Sequence, residues 1–497
     1  MTLASQTTSP VQHPGQLFIG GEWVTPTSES TFDVIDSGTE ELYFRVAEAR
    51  EADMDRAIAS AREAFDNGPW PRLSHAERGA YLHKIGAALG ERADELGQIW
   101  PRQSGILQGF AVATAGGMPG MFDFYASLAG AFPFEEVHTP SAGGALGLLV
   151  REPVGVVGAI VPWNGPLSLI ATKLAPALLA GCTVILKPSP EAPGEAYLFA
   201  EIAEQVGLPA GVLNVVTADR EVSERLVRDP RVDKVSFTGS TAAGRRIASL
   251  LGERIGRCTL ELGGKSAAVV LEDADIAATA ASLTMQECII SGQTCGSLTR
   301  VVVPASRYDE VVEALGSSMG ALKVGSPFDP ETQLGPLAMK RQLDKVQSLI
   351  AKGVDEGARL VTGGGRPKHL DRGYFVEPTV FADVDNSSTI AREEIFGPVL
   401  SIIRAVDEED AVRIADDTIY GLNASVFTAD VSRARQVAGR LRSGTVGHNG
   451  MYADFGIAFG GFKQSGIGRE GGTEGLLPYL ETKTVILDDV PEGTQTP

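Results

Sequence analysis

Between residues 155 and 251 short apolar runs alternate with helical stretches, and few folds accommodate that pattern. Residues 155–161 (GVVGAIV) have the composition of a strand buried on both faces. Residues 167–180 follow as a helix, with Gly181 as its stop. Residues 183–187, 212–216 and 234–237 repeat the strand pattern; 196–206, 221–228 and 240–251 repeat the helical one. Strands joined by helices lie parallel in a sheet covered on both faces, which makes the fold class α/β. Ligands of such sheets bind at the carboxyl ends of the strands. Residues 155–186 are the most apolar region, but Pro162, Asn164, Pro166 and Lys173 interrupt it. It is therefore a βαβ unit rather than a membrane span.

A second α/β set follows residue 262. Residues 267–271, 299–303 and 399–403 read as strands; 276–290, 308–322, 340–352 and 411–414 read as helical. Upstream, residues 17–24 (LFIGGEWV) form a hairpin turning at Gly20-Gly21. Residues 51–100 carry apolar side chains at helical spacing, among them Met54, Ile58, Ala61, Phe65, Leu82, Ile85, Leu89 and Leu96. Residues 145–150 follow a small-residue break and read as a strand, as does 482–487 (TKTVIL) near the end. There is no internal repeat.

At 497 residues the chain has room for two or three domains. Its net charge of −20 argues against nucleic acid or an anionic membrane as partner, because both need a basic face. The four cysteines, Cys182, Cys258, Cys288 and Cys295, are scattered, with no C-x-x-C pair. That fits a reducing, cytoplasmic setting better than a disulfide framework. The six histidines form no H-E-x-x-H, so no metal site is expected. Residues 1–16 are rich in Ser, Thr, Pro and Gln, lack a secretory signal pattern, and read as a loose tail.

Six short stretches carry candidate chemistry, and each also has an ordinary structural explanation. Gly292-Gln293-Thr294-Cys295 puts a thiol on a loop after a helix, where a thiolate can meet a substrate; a free Cys is also often a small buried hydrophobe. Pro162-Trp163-Asn164 ends a strand with an amide able to donate to an oxyanion, or simply with a turn Asn. Lys187, followed by Pro188-Ser189-Pro190, can bond ribose hydroxyls or a phosphate, or be a solvated loop lysine. Thr238-Gly239-Ser240 with Gly244 opens a helix whose N–H groups can bind phosphate, or carries an ordinary Ser cap. Glu261-Leu262-Gly263-Gly264-Lys265 sets a carboxylate in an apolar strand, where desolvation raises it toward a general base, or pairs it with a cation. Glu394-Ile395-Phe396-Gly397-Pro398 offers a carboxylate–aromatic clamp for a ring and a ribose, or a loop entering a strand.

Taken together and in this order, these stretches resemble the NAD(P)-dependent aldehyde dehydrogenase superfamily. The resemblance runs from FIGGEW at 18–23 to FGGFKQSGIGRE at 459–470. It implies that Cys295 attacks an aldehyde carbon to give a thiohemiacetal, with Asn164 and the backbone N–H of Cys295 holding the oxyanion. Hydride passes to the nicotinamide, and Glu261 activates water to hydrolyse the resulting thioester. Lys173 matches a lysine near the site, supporting Asn164 or a proton relay, or is an ordinary helix lysine. For the cofactor the resemblance implies Val161, Pro162, Trp163, Lys187, Ser189, Pro190, Gly239, Ser240, Glu261, Leu262, Gly263, Glu394 and Phe396, and it implies no metal.

Departures from the family pattern bear on specificity. Pro190 stands where many NAD users carry a Glu, with Glu191 next, so NAD is only moderately preferred over NADP. Asp219, which could repel a 2′-phosphate, lies where a glycine-rich loop is common. Gly165 and Thr172 replace bulkier residues, and Ala458 replaces a usual Pro. Lining candidates are Gly165, Ser168, Thr172, Ile289, Thr294, Met451, Tyr452 and Phe459. The implied substrate is a bulky or long apolar aldehyde, aromatic or terpenoid. The alternatives are a CoA-acylating semialdehyde dehydrogenase and a catalytically silent binding protein. The implied architecture is a Rossmann-like cofactor domain (17–133 and 153–262), an α/β catalytic domain (263–476) and a small β oligomerisation arm (134–152 and 477–497). An otherwise bare strand edge at 482–487 points to a homodimer or homotetramer.

Overall fold

A computed structural model describes residues 9–491. Its largest sheet has eight strands. Five of them run parallel, in the order Arg257–Glu261, Lys234–Thr238, Val156–Ile160, Thr183–Lys187 and Leu213–Val215. Val156–Ile160 comes first in sequence yet lies in the middle. The chain therefore reverses its direction of travel across the sheet there, and a crevice opens at the carboxyl ends. The hairpin Leu17–Ile19 and Glu22–Val24 closes one edge antiparallel. Gly466–Ile467 closes the other against Arg257–Glu261, so a piece of the stretch 263–476 belongs to this first sheet.

The strands owe their burial to the helices on both faces. Pro166–Ala180 starts with Pro at its first turn and stops at Gly181, whose φ of 101° suits a residue without Cβ. Nearly every residue between is buried, because the helix lies between the sheet and the helices His75–Glu91 and Gln108–Ala131. The second sheet has seven strands, with Ala267–Val270 and Arg300–Pro304 near its centre. Asn423–Phe427 and Thr445–His448 complete one side in parallel.

A third sheet pairs Leu480–Leu487 with Leu146–Pro153 along their whole length, and Glu135–His138 adds a third strand. Residues 9–16 correct the loose-tail expectation. Val11 is buried beside Tyr197, His13 stacks on Trp23, and the Gln12 N–H donates to Glu201. The apolar and aromatic side chains within the polar run hold it against the body. Residues 1–8 and 492–497 lie outside the described residues. Among those described, no helix is long and apolar enough to cross a membrane.

Candidate active site

Four strands of the first sheet end on the crevice side and carry Asn164, Lys187, Gly239-Ser240 and Glu261 there. Asn164 is buried. Its side-chain amide donates to the carbonyl of Gln293 at 3.0 Å, and its own backbone carbonyl accepts the Trp100 indole N–H at 3.1 Å. Ser104 holds the Trp163 carbonyl at 2.5 Å. Parallel strand order thus fixes an amide donor next to the cysteine loop.

That loop departs from the expected helix 276–290. The helix ends at Cys288, and Ile290, Ser291 and Gly292 then take left-handed φ values of 49°, 54° and 71° in succession. Such a conformation costs a β-branched residue about 1–3 kcal/mol and persists only where surroundings enforce it. Here the Ser291 hydroxyl donates to the Gly335 carbonyl at 2.8 Å. The Gln293 amide donates to the carbonyls of Ile290 (2.9 Å) and Ser104 (3.2 Å), and its oxygen accepts the Ala338 N–H at 3.0 Å. Gln293 is therefore the staple of the loop, a role the sequence reading did not give it. Beyond it Cys295 is half-buried, its carbonyl packed against Gly264, where no Cβ would fit. Burial pushes the Cys295 thiol up to about 12, with the carboxyls of Glu394 and Glu261 adding to the rise.

Glu261 is 2% exposed, and neither carboxyl oxygen has a hydrogen-bond partner. Gly460 lies against it: a Cβ there would sit 2.6 Å from Oε1. Burial, then the nearby carboxyl of Glu470, raise Glu261 well above the usual carboxylate range; Lys173 and Arg469 oppose them. Lys173 is no amphipathic-helix lysine. It is 1% exposed, ion-paired with Glu470, and donates to the Thr238 hydroxyl at 2.7 Å. Ser236 and Thr172 also reach Glu470, each at 3.5 Å, and Tyr479 donates to Ser236 at 3.2 Å. Glu470 escaped the sequence reading, although it sits in the quoted stretch 459–470; no spacing in the chain links it to a lysine almost three hundred residues earlier.

The cofactor candidates line the same crevice. Lys187 is buried with no hydrogen-bond partner among the described residues; burial lowers it to about 8, opposed by Glu191 and Asp219. Glu191 is taken up by Ser189 and Arg341, while Asp219 caps the helix Arg220–Arg228 through the Val222 N–H at 2.8 Å. Half-buried Pro190 turns the chain between Ser189 and Glu191. Ser240 does cap its helix, accepting from Ala243 at 3.3 Å, and the Gly239 N–H is spent on the Glu261 carbonyl at 3.0 Å. Val161 and Leu262 bond through their N–H groups to Lys187 and Ser465, and buried Val161 leads into half-buried Pro162 and Trp163. Glu394 accepts the Gly264 N–H at 3.1 Å, and a Cβ on Gly263 would lie 2.6 Å from its other oxygen. Phe396, at φ 62°, sets its ring edge-on to Trp163 with centroids 5.4 Å apart. An ammonium without a partner, a helix start, a backbone-held carboxylate and a ring pair together fit a dinucleotide.

The lining candidates divide. A Cβ on Gly165 would stand in ordinary contact with Leu169 at 3.7 Å, so the position has room for a small side chain. Ser168 is half-buried close to Gly165 in sequence; Ile289 and Thr294 are half-buried in the cysteine loop, and the Thr294 hydroxyl has no partner. Phe459 is buried with its ring on Phe455. Thr172 turns its hydroxyl inward to Glu470 and the Leu169 carbonyl. Met451 leans on the core of the second sheet. Tyr452 is 55% exposed, its ring lying over Gly447 and Gly450.

The aldehyde dehydrogenase family model matches residues 23–485. A geranial dehydrogenase from Castellaniella defragrans is 47% identical over 95% of this chain and 98% of its own. The crystal structure of a Mycobacterium tuberculosis aldehyde dehydrogenase complexed with NAD+ superposes with a TM-score of 0.93 at 46% identity, covering 97% of this chain and 99% of that one. A Pseudomonas syringae aldehyde dehydrogenase C mutant, complexed with NAD+ and octanal, gives 0.93 at 38% identity, covering 98% and 100%. On a match that spans nearly its whole length, the chain belongs to the aldehyde dehydrogenase family.

Proposed function

We propose that the protein oxidises a bulky or long apolar aldehyde to its carboxylic acid through covalent catalysis at Cys295, with NAD preferred over NADP. The observation that carries this reading is Glu261, a carboxylate with both oxygens buried and free, in the crevice that also holds the Cys295 loop and Asn164. Asn164 and the Cys295 backbone N–H stabilise the oxyanion formed when the thiolate adds to the aldehyde. Bound NAD supplies the two-electron acceptor. Glu261 then takes a proton from water, which attacks the thioester carbon and frees the thiol. Lys187 and Glu394 hold the two riboses, Ser240 and Trp163 flank the pyrophosphate, and Phe396 packs beside the nicotinamide. Lys173 and Glu470 carry the proton away from Glu261.

Two observations support the apolar substrate. Gly165 leaves room that a side chain would take up, and relatives of this chain include one named for geranial and one crystallised with octanal. Glu191 and Asp219 beside Lys187 support NAD, because a 2′-phosphate would meet two carboxylates. A cofactor domain, a catalytic domain and a β arm, assembled as a dimer or tetramer in the cytoplasm, complete the proposal. The test is NAD and NADP reduction over aldehydes from short aliphatic to cinnamyl and terpenoid, with Cys295→Ala as control. Bulky aldehydes should give the higher kcat/KM; acetaldehyde far ahead of them would end the substrate proposal. Activity appearing only with CoA would replace Glu261 hydrolysis by acyl transfer.

A further inference from the structure

The helix Ala93–Ser104 contributes no residue to the chemistry, yet its last turn touches both loops that do. Ser104 is 0% exposed, and it reaches each loop with a different oxygen. Its hydroxyl donates to the Trp163 carbonyl at 2.5 Å, and its carbonyl accepts the Gln293 side-chain amide at 3.2 Å. The ring then closes directly, because the Asn164 side-chain amide donates to the Gln293 carbonyl at 3.0 Å. One turn earlier in the helix, buried Trp100 gives its indole N–H to the Asn164 carbonyl at 3.1 Å.

The two carbonyls held by this helix are consecutive. That of Trp163 belongs to the peptide plane before the Asn164 Cα, and that of Asn164 to the plane after it. Neither plane can turn without breaking a buried hydrogen bond, which would leave a carbonyl unsatisfied. Gly165 follows and puts little restraint of its own on the turn, so the direction of the Asn164 side chain is set from outside its loop. The helix end is itself wedged in place. A Cβ on Gly105, at φ 79°, would lie 1.9 Å from the Pro336 carbonyl oxygen, and one on Gly335 would lie 2.1 Å from the Gly105 carbonyl oxygen. Gly335 and Ala338 in turn hold Ser291 and Gln293 of the cysteine loop. Amide donor and nucleophile loop therefore share one frame.

We propose that Ser104 and Trp100 are positioning residues for the oxyanion site, fixing both peptide planes that aim Asn164. The inference rests on the reading of Asn164 as the oxyanion donor and Cys295 as the nucleophile. The Asn164 amide carries two N–H groups. The one bonded to Gln293 orients the amide; the other is left for the oxygen that becomes negative when the thiolate adds to the aldehyde. A preorganised donor of this kind is worth about 10²–10³ in rate, and a misplacement of about 1 Å can forfeit 10²-fold.

The experiment compares wild type, Ser104→Ala, Trp100→Phe, Asn164→Ala and each of the first two combined with Asn164→Ala, all as the full-length protein. Ser104→Ala and Trp100→Phe each remove one donor and keep most of the side chain's shape; Ser104→Ala also keeps the carbonyl that holds Gln293. The first turnover is followed by rapid mixing as NADH formation from octanal. Alkylation of Cys295 by iodoacetamide, which forms no oxyanion, is quantified on the Cys295 peptide, and NAD affinity is measured by calorimetry. Each single variant should slow the first turnover by about ten-fold, within what a misplacement of the donor costs. Alkylation and NAD affinity should stay within about two-fold. With Asn164→Ala already present, neither variant should add more than about two-fold, because no amide is left to misplace. If Ser104→Ala does not fold, Trp100→Phe carries the comparison. A first turnover within two-fold of wild type, a loss that multiplies fully with that of Asn164→Ala, or alkylation falling in step with turnover overturns the proposal. Failure of the underlying reading is seen elsewhere: Asn164→Ala alone would turn over at the wild-type rate, or Cys295→Ala would stay active.

Discussion

Phe459 and Glu470 exchange both backbone hydrogen bonds, at 2.6 and 2.7 Å. The pairing sets the buried Phe459 ring in register with the carboxylate that receives Lys173. Gly460, next to Phe459, gives room to Glu261. This single bridge therefore sits beside the carboxyl of Glu261, which the strand Arg257–Glu261 carries.

The Lys173–Glu470 pair should set the pH dependence of the Glu261 step, with opposite signs for its two members. Glu470 raises Glu261 and Lys173 lowers it. Glu470→Gln should move the acidic limb of the kcat profile to lower pH, and Lys173→Met should move it to higher pH. Both variants leave one buried charge unpaired, at a cost of about 3–5 kcal/mol, so thermal melting is measured alongside. Shifts in the same direction would remove the pair from the mechanism.

Glu261→Gln should separate the two halves of the reaction. Acylation needs no base at this position, so one equivalent of NADH per site should appear in a burst. Turnover should then fall by about 10²–10⁴, the usual contribution of a general base. Mass spectrometry should find an acyl adduct on Cys295. Loss of the burst together with turnover would place Glu261 in the first step.

The parallel core was legible because strands buried on both faces leave uninterrupted apolar runs, as in residues 155–161 and 183–187. Helix Gln108–Ala131 was not. Its glycines and Pro119 carry low helix propensity, and packing against His75–Glu91 holds the segment helical. In the site, Cys295, Asn164 and Glu261 stood out because each ends or follows a recognisable strand or helix. Gln293 and Glu470 did not, because their roles consist of bonds to residues far away in sequence. Thr172 drew notice in the sequence for its small size; that its hydroxyl reaches Glu470 and the Leu169 carbonyl had no sequence signal.

Cys295 should be a poor nucleophile at neutral pH in the coenzyme-free protein. Its thiol lies above its ordinary value, at about 12, so the thiolate fraction rises with pH throughout the alkaline range. The same shift makes the folded state hold its proton longer than the unfolded chain. Stability from this group is therefore present below the ordinary thiol range and lost as pH rises toward 12. Without NAD, alkylation should climb steadily from pH 7 to 10 with no plateau. Glu261→Gln removes one carboxyl that raises the thiol and should speed alkylation at pH 8. A plateau below pH 8 in wild type would contradict this account.

The three-stranded sheet leaves apolar surface on both faces. Leu148, Leu149, Val150, Val485 and Leu487 are only half-buried, and Ile486 is exposed. Antiparallel sheets tolerate one wet face, whereas this one lacks a full cover on either. Its outer strand Leu480–Leu487 also keeps a free edge within the protomer, a ready template for pairing with another chain. A neighbouring subunit would cover both, which is the basis for proposing an oligomer. Ile486→Lys together with Thr484→Pro places a charge on the exposed face and takes one N–H from the strand. The double variant should sediment as a smaller species than wild type at micromolar concentration, with Cys295 alkylation retained because the crevice lies in another sheet. An unchanged sedimentation coefficient would mean that the arm is not the interface, and a monomeric wild type would end the oligomer proposal.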